Sequence, residues 1–539
     1  MARERHSTHS PKNPSNVVLI LLILILLAQP LAHTQTVPQN LTQTTEGRDI
    51  DGSIIPNYDS DGDGVIDSND SHPMNPVLSL QLIGGAKVSE WSSEPSIVTN
   101  LGIRTLNVDE LPESMEWGDI DNDGDLDMFL SRNLGPNEIW ENDGNGYLSL
   151  QTWNHNTNDD TKNSVLVDMN NDGWIDVVSA NFNYPNTLFY NNNGTFNNSP
   201  DWKTNNSGVS TGVSVGDMNG DGDLDVHFSR KYDQVLEGIN GNISHNALWI
   251  EPSLFVDGGE FGNSTGYSIT YTSSLGDIDR DGDLDIVQQN YRDSILDYEI
   301  QPYDLIWLND GNGKFGVQSA TQADRPNWIS WHAHLGEDVE IADLDGDGYQ
   351  EIIYAHFFKP SNLSSGEWEL MPNVYFQNNN GSFIQNATWT SNPARFTSAV
   401  ASGDLDFDGD LDLVFANGGF PYRNNSNNVF ENQNGTFSPD PTWISNNKSS
   451  MDVQVIDYDG DKDLDLAFIR RNNTNGPFYL ELFENPWSNI DKDDYGDDDD
   501  DCPLVAGNST EDRKGCPDTD GDGWSDTDST WTWGMGADR

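Results

Sequence analysis

Residues 119–127 read DIDNDGDLD. The same nine-residue pattern returns as DMNNDGWID at 168–176, DMNGDGDLD at 217–225, DIDRDGDLD at 277–285, DLDGDGYQE at 343–351, DLDFDGDLD at 404–412 and DYDGDKDLD at 457–465. The first residues of successive copies lie 49, 49, 60, 66, 61 and 53 residues apart. A period of that size suits one four-stranded antiparallel unit with loops of variable length, so the chain is first of all a repeat architecture.

The spacing inside each copy carries chemistry. A hard cation such as calcium takes six to eight oxygen ligands at about 2.3–2.6 Å. In a tight turn the side chains at positions 1, 3, 5 and 9 converge on one point, position 7 offers a carbonyl, and a glycine at position 6 permits the turn. The candidate calcium ligands are Asp119, Asp121, Asp123 and Asp127; Asp168, Asn170, Asp172 and Asp176; Asp217, Asn219, Asp221 and Asp225; and Asp277, Asp279, Asp281 and Asp285. The later copies add Asp343, Asp345, Asp347 and Glu351; Asp404, Asp406, Asp408 and Asp412; and Asp457, Asp459, Asp461 and Asp465. Six copies keep the glycine, and the last has Lys462 there, which makes it the weakest site. A helix-loop-helix site would need a glutamate at position 12, where the first three copies have Leu130, Ser179 and Phe228. Strand-forming runs such as Asp127-Met-Phe-Leu and Asp412-Leu-Val-Phe follow each loop instead, so the loop is expected to join two antiparallel strands.

A second cassette follows in most copies: NEIWENDGNGYL, NTLFYNNNGTF, DLIWLNDGNGKF, NVYFQNNNGSF and NVFENQNGTF. Each reads as an aromatic strand, an Asn/Gly turn and a return strand, with a tryptophan closing the unit at Trp153, Trp202, Trp328, Trp389 and Trp443. Four strands per repeat and seven repeats predict an all-β, seven-bladed β-propeller with calcium loops between the first two strands of each blade. Over roughly residues 100–487 the blades resemble the FG-GAP/VCBS repeats of integrin α-subunit heads and related extracellular propellers. The third repeat departs from the pattern, with ALWIEPSLFVDGGEF in place of a neat hairpin. The seventh ends at FYLELFENPW with no fourth strand, and an open ring would leave a bare edge. A strand drawn from about Leu78 to Val108 is expected to complete it, the alternative being an open ring. The propeller domain is therefore set at 78–487.

Acidic segments flank the ring. DSDGDGVID places Asp59, Asp61, Asp63 and Asp67 at the 1-3-5-9 spacing within 34–77, and DTDGDGWSD does so with Asp518, Asp520, Asp522 and Asp526 within 488–539. Both flanks resemble thrombospondin type 3 repeats, which implies acidic calcium-binding segments with little regular structure. The alternative is a disordered acidic linker. The chain carries 89 acids against 26 bases, a net charge of −63, which excludes nucleic acid as a partner because no basic face remains for a phosphate backbone. The seven central loops hold 31 of those acids, so cation liganding explains the clustering better than a generally acidic surface does.

Residues 1–33 read as a secretory signal: Arg3, Arg5 and Lys12 precede an apolar run from Val17 to Leu27 and a small-residue stretch ending near Ala32. Eleven apolar residues span only about 16 Å as a helix, so the mature chain is expected to lack a membrane span; an uncleaved anchor is the alternative. Cys502 and Cys516, the two cysteines, suit a disulfide in an exported protein, worth about 3 kcal/mol to so short a loop. Free thiols are the alternative. Sequons at Asn193, Asn242, Asn263, Asn362, Asn386 and Asn434 fit surface loops.

By the resemblance, calcium loops line the lower side of the ring and ligands meet the opposite face. Five positions past each loop stand Arg132, Asn181, Arg230, Asn290, His356, Asn417 and Arg470. They are read as a polar ring at the upper mouth, flanked by Tyr184, Tyr232, Tyr291, Phe357 and Tyr422, suited to carbohydrate hydroxyls or acidic side chains. The alternative is that they satisfy strand-end carbonyls. His332, His334 and His356 in the fifth repeat are the one candidate for a transition metal or a general base, without an evident partner. No nucleophile elbow, phosphate loop or HExxH motif occurs. The expected function is a secreted or cell-surface, monomeric recognition module for an extracellular glycan or protein. The alternatives are a polysaccharide-active enzyme and a structural surface-layer spacer.

Overall fold

The computed structural model describes residues 95–102 and, with short gaps, 112–485, together with 502, 507–509, 513, 516–518 and 525 of the tail. Each acidic loop joins two antiparallel strands, and the pairing closes on its last acid, as in Gly118↔Asp127, Val167↔Asp176 and Gly403↔Asp412. The first strands are Pro112–Gly118, Thr161–Val167, Ser210–Gly216, Ser268–Gly276, Leu335–Ala342, Thr397–Gly403 and Ser449–Ile456. The second are Asp127–Arg132, Asp176–Asn181, Asp225–Arg230, Asp285–Arg292, Glu351–Asn362, Asp412–Asn417 and Asp465–Arg471. Third strands, among them Glu138–Glu141 and Phe478–Phe483, and fourth strands, among them Trp202–Lys203 and Trp443–Ile444, complete seven separate sheets. No helix forms among the described residues.

The first strands pack on one another around the ring, the seventh on the first, so they are innermost and the ring is closed. Met115 N donates to Asp452 Oδ2 (2.8 Å) and Gln454 Nε2 to Met115 O (3.3 Å) across that last joint. The apolar core is divided among the blade interfaces. Trp249 and Val235 of blade three meet Ile286, Trp307 and Phe315 of blade four. Trp117, Met128 and Trp140 of blade one likewise meet Ile469, Leu480 and Leu482 of blade seven. Each large apolar side chain buried in this way stabilises by about 1.5–3 kcal/mol.

Four departures from strict repetition matter. In blade seven the place of the missing fourth strand is taken by Ile97–Gly102, which pairs antiparallel with Phe478–Phe483. Blade three forms a hairpin where the sequence reading expected none, but an irregular one: Gln234–Ile239 turns at Asn240–Gly241 into Asn242–Ile250, the ALWI segment lies in the return strand, and the register shifts between Val235 and Leu236 and between Leu236 and Gly238. In blade one the fourth strand is Ser149–Leu150, so Trp153 lies past it and packs on Phe189 and Phe196 of blade two at 5.0 and 5.3 Å. Blade five has a fifth strand, Glu367–Leu370, on the extended end of Glu351–Asn362.

Candidate metal centres

Each acidic loop is organised by its own carboxylates. Oδ2 of the first aspartate accepts from the glycine N–H at position 6: Gly124→Asp119 at 3.1 Å, Gly173→Asp168 at 2.7 Å, Gly222→Asp217 at 2.8 Å and Gly409→Asp404 at 3.0 Å. The glycine φ is +103° at Gly124 and +88° at Gly173, a left-handed turn that lysine at that place in the last loop is ill suited to adopt.

The ninth position does two jobs. Asp127 Oδ2 accepts from Ile120 N (3.1 Å) and its Oδ1 from Asn142 N (2.9 Å). The same pair of hydrogen bonds recurs at Asp176 with Met169 and Asn191, at Asp285 with Ile278 and Asn309, at Glu351 with Leu344 and Asn378, and at Asp412 with Leu405 and Asn432, and Asp465 accepts from Asn485 N. The acid thereby pins the loop to the end of the third strand of its own blade.

Those asparagines then reach backward to the preceding blade. Asn142 Nδ2 donates to Tyr458 O (2.8 Å), Asn191 to Ile120 O (2.7 Å), Asn309 to Met218 O (2.7 Å), Asn378 to Ile278 O (2.8 Å), Asn432 to Leu344 O (2.7 Å) and Asn485 to Leu405 O (2.9 Å). Every acceptor is position 2 of an acidic loop. The turn glycine just beyond packs on position 3 of that same loop. A Cβ on Gly381 would lie 2.9 Å from Asp279 Cβ, and one on Gly435 2.5 Å from Asp345 Cβ. Reading the cassettes as hairpins alone missed this role; the recurring Asn-x4-Asn spacing in NEIWEN, NTLFYN and NVYFQN was its signal.

Five loops gather three carboxylates whose oxygens lie within 4.8 Å of one another: Asp119/Asp121/Asp127, Asp277/Asp279/Asp285, Asp343/Asp345/Asp347, Asp404/Asp406/Asp408 and Asp457/Asp459/Asp465. The loops of blades two and three carry Asn170 and Asn219 in place of the third-position acid. Burial, with like charges nearby, pushes the carboxyls of Asp127, Asp176 and Asp225 up to about 7 and that of Asp285 to about 8. Side-chain oxygens of Asp121, Asn170 and Asp279 at position 3, and of Asp343 and Asp404 at position 1, are buried without a hydrogen-bond partner. Buried acceptors of this kind normally have a partner. A hard oxygen-seeking cation fits this donor set, supplying the missing contact and offsetting the crowded charge.

The positions expected at the upper mouth are buried or half-buried, and their polar atoms bond within the blade. Arg132 pairs with Glu138 and Arg470 with Glu481, each at 2.6 Å, and Arg230 Nη1 donates to Gln234 Oε1 (2.6 Å). Asn181 Nδ2 donates to Pro185 O (2.7 Å) and Asn417 Nδ2 to Ser426 O (2.9 Å). Asn290 Oδ1 accepts from Thr270 (3.1 Å), and His356 Nδ1 lies 2.9 Å from Pro372 O. The strand-end role is thus the one their contacts display. A second set of asparagines covers them: Asn137 Nδ2 reaches Thr161 of the next blade (3.1 Å) and Asn186 reaches Ser210 (3.0 Å).

His332, His334, Tyr422, Asp461, Lys462 and the set Asp59, Asp61, Asp63 and Asp67 lie outside the described residues, as do Asp520, Asp522 and Asp526. In the tail, Cys502 and Cys516 form a disulfide with Cα atoms 5.0 Å apart, and Asp518 is nearly buried.

Six four-stranded blades and one five-stranded blade, with an acidic loop inside each first hairpin, define a seven-bladed β-propeller. A family model described as an FG-GAP-like repeat matches residues 119–179, 168–228, 363–415 and 414–468, so the chain carries FG-GAP-like repeats. No curated protein matches the chain in sequence. Among solved structures, BBS1N in complex with ARL6DN, soaked with lead, is similar at TM-score 0.45 and 11% identity, covering 74% of this chain and 98% of that one. Its mercury-soaked counterpart gives 0.43 and 11% over 75% and 100%. An Agrocybe aegerita lectin that recognises non-reducing terminal N-acetylglucosamine gives 0.35 and 18% over 63% and 80%.

Proposed function

We propose that this chain is an exported, calcium-stabilised recognition propeller that binds an extracellular glycan or protein. The observation that carries the reading is the set of buried, unpartnered oxygens at the first and third loop positions, set among carboxylates that crowd one another. Calcium at those loops would join each blade to the next, because the Asn and Gly contacts of one blade rest on the loop of the blade before it. In this reading the acidic flanks are calcium-binding segments like thrombospondin type 3 repeats, and the leader directs export.

The recognition surface is assigned to the face opposite the loops, where the second-to-third-strand connections emerge. Its most individual feature is the added ribbon of blade five, Glu351–Asn362 paired with Glu367–Leu370. The buried polar ring beneath is support for that face rather than the contact itself. A glycan array and a cell-surface pull-down, each with calcium and with chelator, test the reading. Binding that needs calcium and is lost when residues 359–369 are replaced by a short turn is expected. Absence of any bound glycan or protein in calcium would overturn recognition and favour a structural spacer.

A further inference from the structure

Each acidic loop offers a cation four side chains and one carbonyl, five groups where calcium takes six to eight oxygens. The third strand of the blade stands beside that gap. It pairs antiparallel with the second strand through Met128↔Trp140 in blade one, Ile286↔Trp307 in blade four, Ile352↔Phe376 in blade five and Leu413↔Phe430 in blade six. One rung nearer the loop, the ninth-position acid therefore faces Glu141, Leu308, Gln377 and Glu431 respectively. Cross-strand partners project from the same face of a sheet, with Cβ atoms about 5 Å apart. The residue after each of them is the asparagine already bonded to the same acid, as Asn432 N is to Asp412 Oδ1 (2.8 Å), so this rung is held in place.

Contacts show which way this side chain turns. Gln377 Nε2 donates to Asp345 Oδ2, the third-position acid of its own loop. Glu141 and Glu431 are half-buried at the equivalent place. In blade six, Asp404, Asp406 and Asp408 bring oxygens within 4.8 Å of one another, and burial with the Asp408 charge pushes the Glu431 carboxyl above its ordinary range. Asp404 is 8% exposed, and its Oδ1 is buried with no hydrogen-bond partner. Two blades lack such a group. Tyr190 stands on the same rung of blade two and donates instead to Gly241 O of blade three (2.6 Å), and Leu308 of blade four has no oxygen to offer.

We propose that Glu431, and Glu141 in blade one, are further cation ligands supplied by the third strand from outside the nine-residue loop. The inference rests on the calcium reading of the loops and adds a ligand to it. Gln377 is a neutral and weaker version of the same ligand, and blade four has none. Loops one, four and six isolate the effect, because each carries aspartate at positions 1, 3, 5, 7 and 9. Loop composition ranks the three alike, whereas the third strand ranks loop four last. Arg280 within loop four lies over the Tyr349 ring of blade five at 5.1 Å, so substitutions on the third strand decide the matter more cleanly than the parent order alone.

Manganese is the probe, because it prefers the same oxygen ligands and its anomalous peak reads each loop separately. In crystals of the full chain soaked at graded Mn²⁺, loops one and six are expected to fill at about tenfold lower concentration than loop four. A Glu141 or Glu431 oxygen should be in bonding contact with the peak. Leu308→Glu should bring loop four down to that concentration, and Glu431→Leu should raise loop six by a similar factor. Filled loops whose peaks lie clear of Glu141 and Glu431, or whose order neither substitution moves, would overturn the added ligand and leave the calcium reading standing. Loops that stay blank throughout would overturn both. Should Glu431→Leu not fold, Glu431→Gln and the parent crystals decide, the amide being expected to fill later than the carboxylate.

Discussion

The innermost strands end differently at their two ends. At the lower end, seven strands run into near-copies of one loop, and the contacts that hold them recur: in the first six loops a ninth-position acid accepts from two backbone N–H groups, and all but the second loop receive an asparagine from the next blade. At the upper end the same strands bulge around side chains that do not repeat, with the ammonium of Lys162 on one blade paired to the Glu113 carboxylate of its neighbour. The repeat builds a scaffold whose sites are interchangeable; the bulges place single residues whose chemistry no other blade copies.

Removing metal should separate the ends most strongly. A single site held at 100 times its dissociation constant adds about 2.7 kcal/mol to folding stability. Emptying several loops should therefore lower the melting temperature by roughly 10 °C or more, read by calorimetry in chelator. An unchanged melting temperature would sink the calcium assignment.

The pH dependence of metal-free protein sharpens the comparison next. Asp127, Asp176 and Asp225 sit at about 7 and Asp285 at about 8 in the folded chain, against about 4 for a free carboxyl. The folded state thus binds more protons than the unfolded state between those values, so metal-free stability should fall as pH rises from about 4 to about 8. Calcium replaces those protons, and melting curves recorded with it should show the fall abolished.

Single contacts come third. Asn191→Ala removes the donor to Ile120 O, for which about 1–3 kcal/mol is expected from denaturant titration in calcium. Blade three serves as the natural control, since Gly238 stands where the other blades have the asparagine, its N–H still bonded to Asp225 Oδ1 at 2.7 Å. The smallest effect divides two glycines. Gly435→Ala meets Asp345 at 2.5 Å as well as a φ of +75°, whereas Gly173→Ala meets only open space at +88°. Both lose about 1 kcal/mol to backbone strain, but only the first should also weaken metal binding at the blade-five loop, measured by calcium titration.

The loops of the lower end were legible in the sequence because their motif is local, nine consecutive residues fixing the turn; the asparagine that joins each to the next blade was not, because it stands 15 to 27 residues beyond the ninth-position acid. Nor was the upper end. Strict alternation along Pro112–Gly118 would put half its side chains on each face, but the bulge between Pro112 and Met115 resets the register and all seven residues are buried. Glu113 and Lys162 are also 49 residues apart, so their pairing depends on how two blades meet. The ring from Arg132 to Arg470 was expected to face a ligand, whereas its side chains are buried or half-buried and bonded inside the blades. Its burial follows from the return connections and the Asn137-type contacts above it, which no single-strand pattern reports.

Ile97–Gly102 and Phe478–Phe483 are antiparallel neighbours, with Ile97 opposite Leu482. The chain therefore enters and leaves the ring at one corner, on the side of the acidic loops where Asn485 binds Asp465. Tension applied through the two ends would pull that pair apart one rung at a time, as a zipper opens, instead of shearing all its hydrogen bonds together. Peeling would begin at this seam and strip one strand while six blades kept their own four. Under mechanical load, the seam that closes the ring is also its release point.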